Sequence, residues 1–155
     1  MAMIFVNHSN HFRDFISLNE AWIQRYFSIE DADRRLAQNP AIVVDEGGVI
    51  LTAVEGGRVV GACALFHHGE RSFELARMAV DPACQGKGIG RQLAEEAIER
   101  AKDLGAIRLI LLTNTLLAPA VELYRSLGFL VVRRGQHPEY SRCNLVMELM
   151  IDGRH

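Results

Sequence analysis

The residues Gln85-Gly86-Lys87-Gly88-Ile89-Gly90-Arg91 are placed to do chemistry between a strand-like run, Glu74 to Val80, and an amphipathic helix. Glycines at 86, 88 and 90 open backbone conformations closed to other residues and clear side chains from the path of a ligand. The first amides of a helix have no partner within it and carry partial positive charge. Lys87 and Arg91 set full charges beside them. That combination can hold a phosphate or pyrophosphate; the plainer alternative is a glycine-rich turn. Two other phosphate loops do not fit. A Walker A loop needs Ser or Thr after Gly-Lys, where Gly88 stands. A dinucleotide fingerprint needs a third Gly or Ala where Arg91 stands.

What fits is Gln/Arg-x-x-Gly-x-Gly/Ala, with Gln85, Gly88 and Gly90 in register. Here the sequence resembles the GNAT superfamily of acyl-CoA-dependent N-acyltransferases, in which this loop cradles the pyrophosphate of acetyl-CoA. Upstream, Met78-Ala79-Val80-Asp81-Pro82 resembles the end of the family's fourth strand, whose splayed backbone pairs with the pantetheine arm like an added peptide strand. Downstream, Ile107 to Thr113 is a continuous apolar run of buried-strand type. Asn114, a helix opening near Pro119, Leu123-Tyr124 and Gly128-Phe129 then resemble the second family motif. Tyr140-Ser141-Arg142-Cys143-Asn144 is similar to a segment before the last strand in a subset of the family, including members fused to MarR-type DNA-binding domains.

The resemblance implies an acetyl-CoA-dependent N-acetyltransferase that passes the acetyl group directly to a primary amine, with no metal. The amine must lose a proton before attack and the leaving thiolate must gain one. Glu74 is the candidate base at the family's offset from Met78 and Val80. Strand alternation sets Glu74, Ala76, Met78 and Val80 on one side, where a carboxylate is costly unless functional or paired. A solvent-facing or salt-bridged glutamate is the other reading. The amide of Met78 or Val80 would polarise the thioester carbonyl. Tyr124 is the candidate acid toward the coenzyme A sulfur, or else a core tyrosine packed on the sheet. The cofactor-binding set is Met78, Ala79, Val80, Gln85, Gly86, Lys87, Gly88, Ile89, Gly90, Arg91, Asn114 and Tyr124, with Asn114 alternatively capping the strand end. Tyr140 and Arg142 either face the acceptor or hold the loop. A non-catalytic acyl-CoA-binding sensor module is the competing function.

The elements that must position these groups follow an α/β order. A first strand is expected at Met3–Val6 and a helix at Phe12–Phe27. Ser28-Ile29-Glu30-Asp31 reads as the cap of a short helix ending before Asn39-Pro40. Strands are expected at Ala41–Val44, Val49–Val54, Arg58–Phe66, Ser72–Val80 and Asn144–Met150, with Glu55-Gly56-Gly57-Arg58 as a tight hairpin. His67-His68-Gly69-Glu70 reads as a turn with solvated histidines. After the glycine loop, Ile89, Leu93, Ala97, Ile98 and Ala101 share one helix face, and Gly105 ends it. The fold implied is GNAT-like: a mixed, mostly antiparallel central sheet flanked by helices and splayed at strands 4 and 5.

Composition agrees. The 155 residues suit a single N-acetyltransferase domain over 1–155. A formal charge of -2 argues against nucleic acid as the main partner. Cys63, Cys84 and Cys143 are odd in number, lack Cys-x-x-Cys spacing and suit a reducing compartment. No signal-like start and no membrane-length apolar run is evident, so the cytoplasm is the default and no membrane partner is expected. The expected partner is a small-molecule or peptide amine, and the resemblance admits a homodimer.

Overall fold

The computed structural model of the chain describes residues 2–151. Strand β1 (Met3–Val6) is followed by helices α1 (Phe12–Tyr26), α2 (Asp31–Gln38) and α3 (Ile42–Asp45), then strands β2 (Val49–Glu55), β3 (Arg58–His67) and β4 (Ser72–Val80). Helix α4 (Ile89–Asp103), strand β5 (Arg108–Thr113), helix α5 (Ala118–Ser126) and strands β6 (Leu130–Arg134) and β7 (Leu145–Met150) follow. The strands form one seven-stranded sheet in the order β1-β2-β3-β4-β5-β7-β6. Every neighbouring pair is antiparallel except β4 with β5. This is the mixed α/β architecture expected from the sequence.

Local chemistry explains most of these elements. Gly56 and Gly57 have φ of 59° and 77°, the positive pair that a tight β2–β3 hairpin demands. Helix α4 buries Ile89, Leu93, Ala94, Ala97 and Ala101, a stripe of helical period. It stops where Gly105 turns left-handed at φ 81° and Ala106 donates its N–H back to the Ala101 carbonyl. The sheet buries both faces of its first half. Leu51, Cys63, Leu65, Phe73 and Leu75 pack with Leu93 of α4 and with Tyr124 and Phe129 around α5. Ile50, Ala62 and Ala64 pack on the other face with Phe15 and Ile16 of α1, Leu36 of α2 and Val43 of α3. No helix among the described residues is long and apolar enough to cross a membrane.

One local expectation is corrected, one is refined and one strand is added. Ala41–Val44 is not a strand: the carbonyls of Asn39, Pro40 and Ala41 accept the amides of Ile42, Val43 and Asp45, winding the run into α3 with Val43 buried. Four apolar residues carry too little periodicity to separate strand from helix. The capping sequence before α2 does cap it: Glu30 is the N-cap, and its amide donates to the Asp33 carboxylate at 2.8 Å. Strand β6 was not anticipated. It lies at the sheet edge with Leu130 and Val132 exposed, so only its pairing to β7 defines it.

Gly48 is required by space. A Cβ built there would sit 2.1 Å from the Leu65 carbonyl oxygen and 2.9 Å from that of Val43, both main-chain atoms of packed elements. Gly48→Ala should therefore destabilise the fold by about 3 kcal/mol, the upper end of ordinary overpacking, measured by denaturant unfolding.

Candidate active site

The site begins where two strands part. β4 and β5 are paired only through Ser72–Arg108, Phe73–Leu109 and Glu74–Ile110, and beyond Glu74 strand β4 has no partner on that side. The gap opens into a groove of about 870 Å³ bounded by α1, β4, the glycine loop, α5 and the segment before β7. Its size falls within the usual range for ligand pockets.

A bulge reorients β4 inside this groove. Ala64 pairs with Ala76 but Ala62 pairs with Ala79, so β4 carries one extra residue there. Arg77 takes it up at φ 60°, an uncommon conformation for a residue other than glycine. Cross-strand partners share a face. Glu74 opposite Phe66 and Ala76 opposite Ala64 therefore lie toward α1 and α2, while Val80 opposite Gly61 lies toward α4. The expected alignment of Glu74 with Met78 and Val80 on one side is thus corrected: the bulge puts them on opposite faces.

Glu74 is held rather than loose. Its Oε1 accepts a hydrogen bond from His68 Nε2 at 2.8 Å, and its side chain is 15% exposed. That bond raises the His68 pKa above its ordinary 6.5; partial burial opposes the shift, and the Glu74 charge adds to it. The two histidines expected as an idle turn are therefore distinct. His67 ends β3 and packs its ring on Phe73 at 4.8 Å, while His68 partners the candidate base. A residue spacing of six across a turn gives no pattern from which that pair could be read.

The glycine loop behaves as its composition suggests. Gly86 and Gly88 are both left-handed at φ 81°, and a Cβ at either would meet open space. The glycines are thus needed for conformation, not for packing clearance. Gly88 is the N-cap of α4, so the first amides of that helix face the groove lined by Gln85, Gly86, Gly88, Ile89 and Gly90. Lys87 and Arg91 sit outside that lining. Lys87 is 3.5 Å from Glu55, and Arg91 donates to Ser126 Oγ at 2.6 Å and lies 3.6 Å from Glu95.

Tyr124 lines the groove from α5, its ring edge-on to Phe129 at 5.8 Å. Burial pushes its hydroxyl pKa well above the ordinary value, with the nearby Cys63 adding to the rise, so the phenol keeps its proton. Asn114 does not line the groove. Its amide accepts from the Leu116 N–H and donates to the Arg142 carbonyl, the turn-capping alternative. Cys84 and Cys143 are buried and free.

A buried carboxylate joins three elements at the groove's other end. Asp33 of α2, 1% exposed, accepts two hydrogen bonds from Arg142, at 2.8 and 2.9 Å, and another from Arg77. Burial alone would raise its pKa, but Arg142, the Glu30 amide and Arg77 hold it far below the usual carboxylate range. Arg77 also donates to Asn19 of α1 at 3.1 Å. Tyr140 and Arg142 both line the groove, as does Arg77. Arg77 and Asp33 escaped the sequence reading because their pairing spans 44 residues.

Comparison with known proteins agrees with this architecture. The model of the acetyltransferase (GNAT) family matches residues 15–129. A mycothiol acetyltransferase of Pseudarthrobacter chlorophenolicus is 37% identical over 94 residues, covering 55% of this chain and 28% of that protein. The chain thus spans little more than a quarter of that relative's length. An uncharacterized N-acetyltransferase of Mycobacterium tuberculosis is 31% identical over 117 residues, 72% of this chain and 75% of that one. A structure from Salmonella typhimurium, solved with its cofactor acetyl-CoA, superposes with a TM-score of 0.78 at 24% identity, covering 100% of this chain and 96% of that one.

The His68–Glu74 pair has a pH signature. A histidine whose folded pKa lies above the unfolded 6.5 stabilises the fold fully below 6.5 and loses that contribution as pH rises through the folded value. An NMR titration should place the His68 midpoint above 6.5 and move it down in Glu74→Gln. The stability deficit of Glu74→Gln should shrink as pH rises through that midpoint.

Proposed function

This chain belongs to the acetyltransferase (GNAT) family, and from that premise we propose that it moves an acetyl group from acetyl-CoA to a primary amine by direct transfer. The observation that carries the proposal is the unpaired edge of β4 running into the left-handed glycine loop and the N-terminus of α4. An extended arm can add to that edge as a strand would, while the helix amides hold a pyrophosphate at its end.

Bound acetyl-CoA supplies an activated thioester carbonyl. The residues from Gln85 to Arg91 hold its phosphates, and the β4 edge from Met78 to Val80 aligns its arm. The amide of Met78 or Val80 polarises the thioester oxygen. Glu74 takes the ammonium proton, through a water because the bulge turns it away from Met78 and Val80. The amine nitrogen then bonds to the carbonyl carbon as the C–S bond breaks, and Tyr124 donates its retained proton to the departing sulfur. Tyr140 and Arg142 border the acceptor, a small-molecule or peptide amine. Their place in the Tyr-x-Arg-Cys-Asn segment supports assigning the chain to the subset that carries it. The free buried cysteines suit a reducing compartment such as the cytoplasm.

Two measurements test the reading. Gly88→Asp adds a negative charge and a strained side chain at φ 81°, so acetyl-CoA binding should vanish in calorimetry while the fold persists. Wild-type affinity in the folded variant would overturn the assignment of the loop. In pH–rate profiles at saturating acetyl-CoA, Glu74→Gln should lose about 10²–10⁴-fold in turnover, with the defect shrinking as pH rises and the amine arrives neutral. Tyr124→Phe should lower turnover with acetyl-CoA affinity unchanged. Acetyl-CoA binding with no coenzyme A release against any amine would make the chain an acyl-CoA-binding module instead.

A further inference from the structure

The groove is electrostatically polarised along β4. At one end lie Glu46, Glu74 and the paired His68; at the other lie Arg77 and Arg142. The basic end is incompletely neutralised. Two guanidinium groups converge on one carboxylate, Asp33, leaving a positive charge in excess. Glu30, whose charge also acts on Arg142, is exposed, lies outside the groove lining and accepts the Ser141 hydroxyl at 2.6 Å. Arg77 uses Nη1 alone for both Asp33 and Asn19, so its Nη2 and Nε donors remain for a ligand. Its side chain is 15% exposed, and Arg77 is among the residues that line the groove. Such a half-desolvated guanidinium fork is suited to a carboxylate, with which it forms charge-assisted hydrogen bonds. Trp22, Phe27 and Tyr140 add aromatic surface beside it.

Resting on the transfer reading, the geometry points to an acceptor that is itself a carboxylate: an amino acid with an apolar or aromatic side chain, its carboxylate on Arg77 and its amine at the open β4 edge. A carboxylate for the fork and an amine for that edge are the two groups that an amino acid carries. Asp33 and Arg142 are positioning residues. Asp33 of α2 bonds Arg77, and Arg142, from the segment before β7, holds Asp33 in place.

The test is a set of matched acceptors assayed by coenzyme A release with the intact protein: L-phenylalanine, L-phenylalaninamide and phenethylamine, and the corresponding leucine and methionine triples. The free amino acid should exceed its amide and its decarboxylated amine at least tenfold in kcat/KM in at least one triple. Arg77→Gly provides the matching variant. Glycine suits the φ of 60°, and Asp33 stays paired by Arg142, so the fold should survive. It should lose the tenfold preference through KM, with acetyl-CoA affinity by calorimetry retained; Arg77→Lys should restore part of it. Even if the variant fails to fold, the wild-type series decides. Turnover of amides and amines as fast as of free amino acids in every triple, or of neutral peptide N-termini alone, overturns this inference and leaves the transfer reading standing. Release from no amine at all overturns both.

Discussion

The end of pairing between β4 and β5 after Glu74 and Ile110 is the constraint on which the rest of the molecule depends. A strand in the middle of a sheet exposes a row of main-chain donors and acceptors once its neighbour departs, and such groups are costly to leave unpaired. The groove leaves them open to solvent, and an extended ligand can pair with them in place of a strand. The sheet is otherwise continuous, so the interruption is local and held rigidly on both sides. β3 follows β4 as far as Val80, and β7 follows β5 as far as Thr113.

The same strand carries a second departure from regularity, and the two work together. One extra residue at Arg77 exchanges the faces of β4, so the carboxylate of Glu74 and the side chains of Met78 and Val80 belong to opposite sides of the sheet. The left-handed residue that allows this is clamped by a carboxylate buried to 1% and shared with Arg142. A buried acid left with neither guanidinium would be an orphaned charge costing several kcal/mol, so the two partners together keep Asp33 ionised in place. The bulge, α2 and the segment before β7 therefore hold one another in place. A loop that would otherwise be free is fixed against the groove, and residues distant in sequence come to line one end of it.

Much of this was legible beforehand because it depends on local chemistry. The hairpin at Gly56-Gly57, the amphipathic stripe of α4, its stop at Gly105 and the left-handed glycines before it all follow from residue type and short-range spacing. The short run Ala41–Val44 misled because four apolar residues satisfy a strand and a helical turn equally, and contacts with Phe15 and Ile50 decided between them. Lys87 and Arg91 were legible as cations of the loop, but their partners, Glu55 on β2 and Ser126 at the end of α5, were not, because those contacts cross elements. Asn114 likewise spends its amide on the turn it caps.

By itself the sequence determined the family, most of the elements and the loop built around Gly86, Gly88 and Gly90, since these rest on motifs and periodicities confined to a few turns or strands. Tertiary structure alone decided which side of β4 each functional group occupies, that His68 belongs to Glu74, and that Asp33 ties Arg77 to Arg142. The physical reason is range. A one-residue bulge leaves no mark in composition and reverses every side chain beyond it, because a strand has a period of two. Bonds between residues 33, 77 and 142 exist only once the sheet has brought α2, β4 and the approach to β7 together.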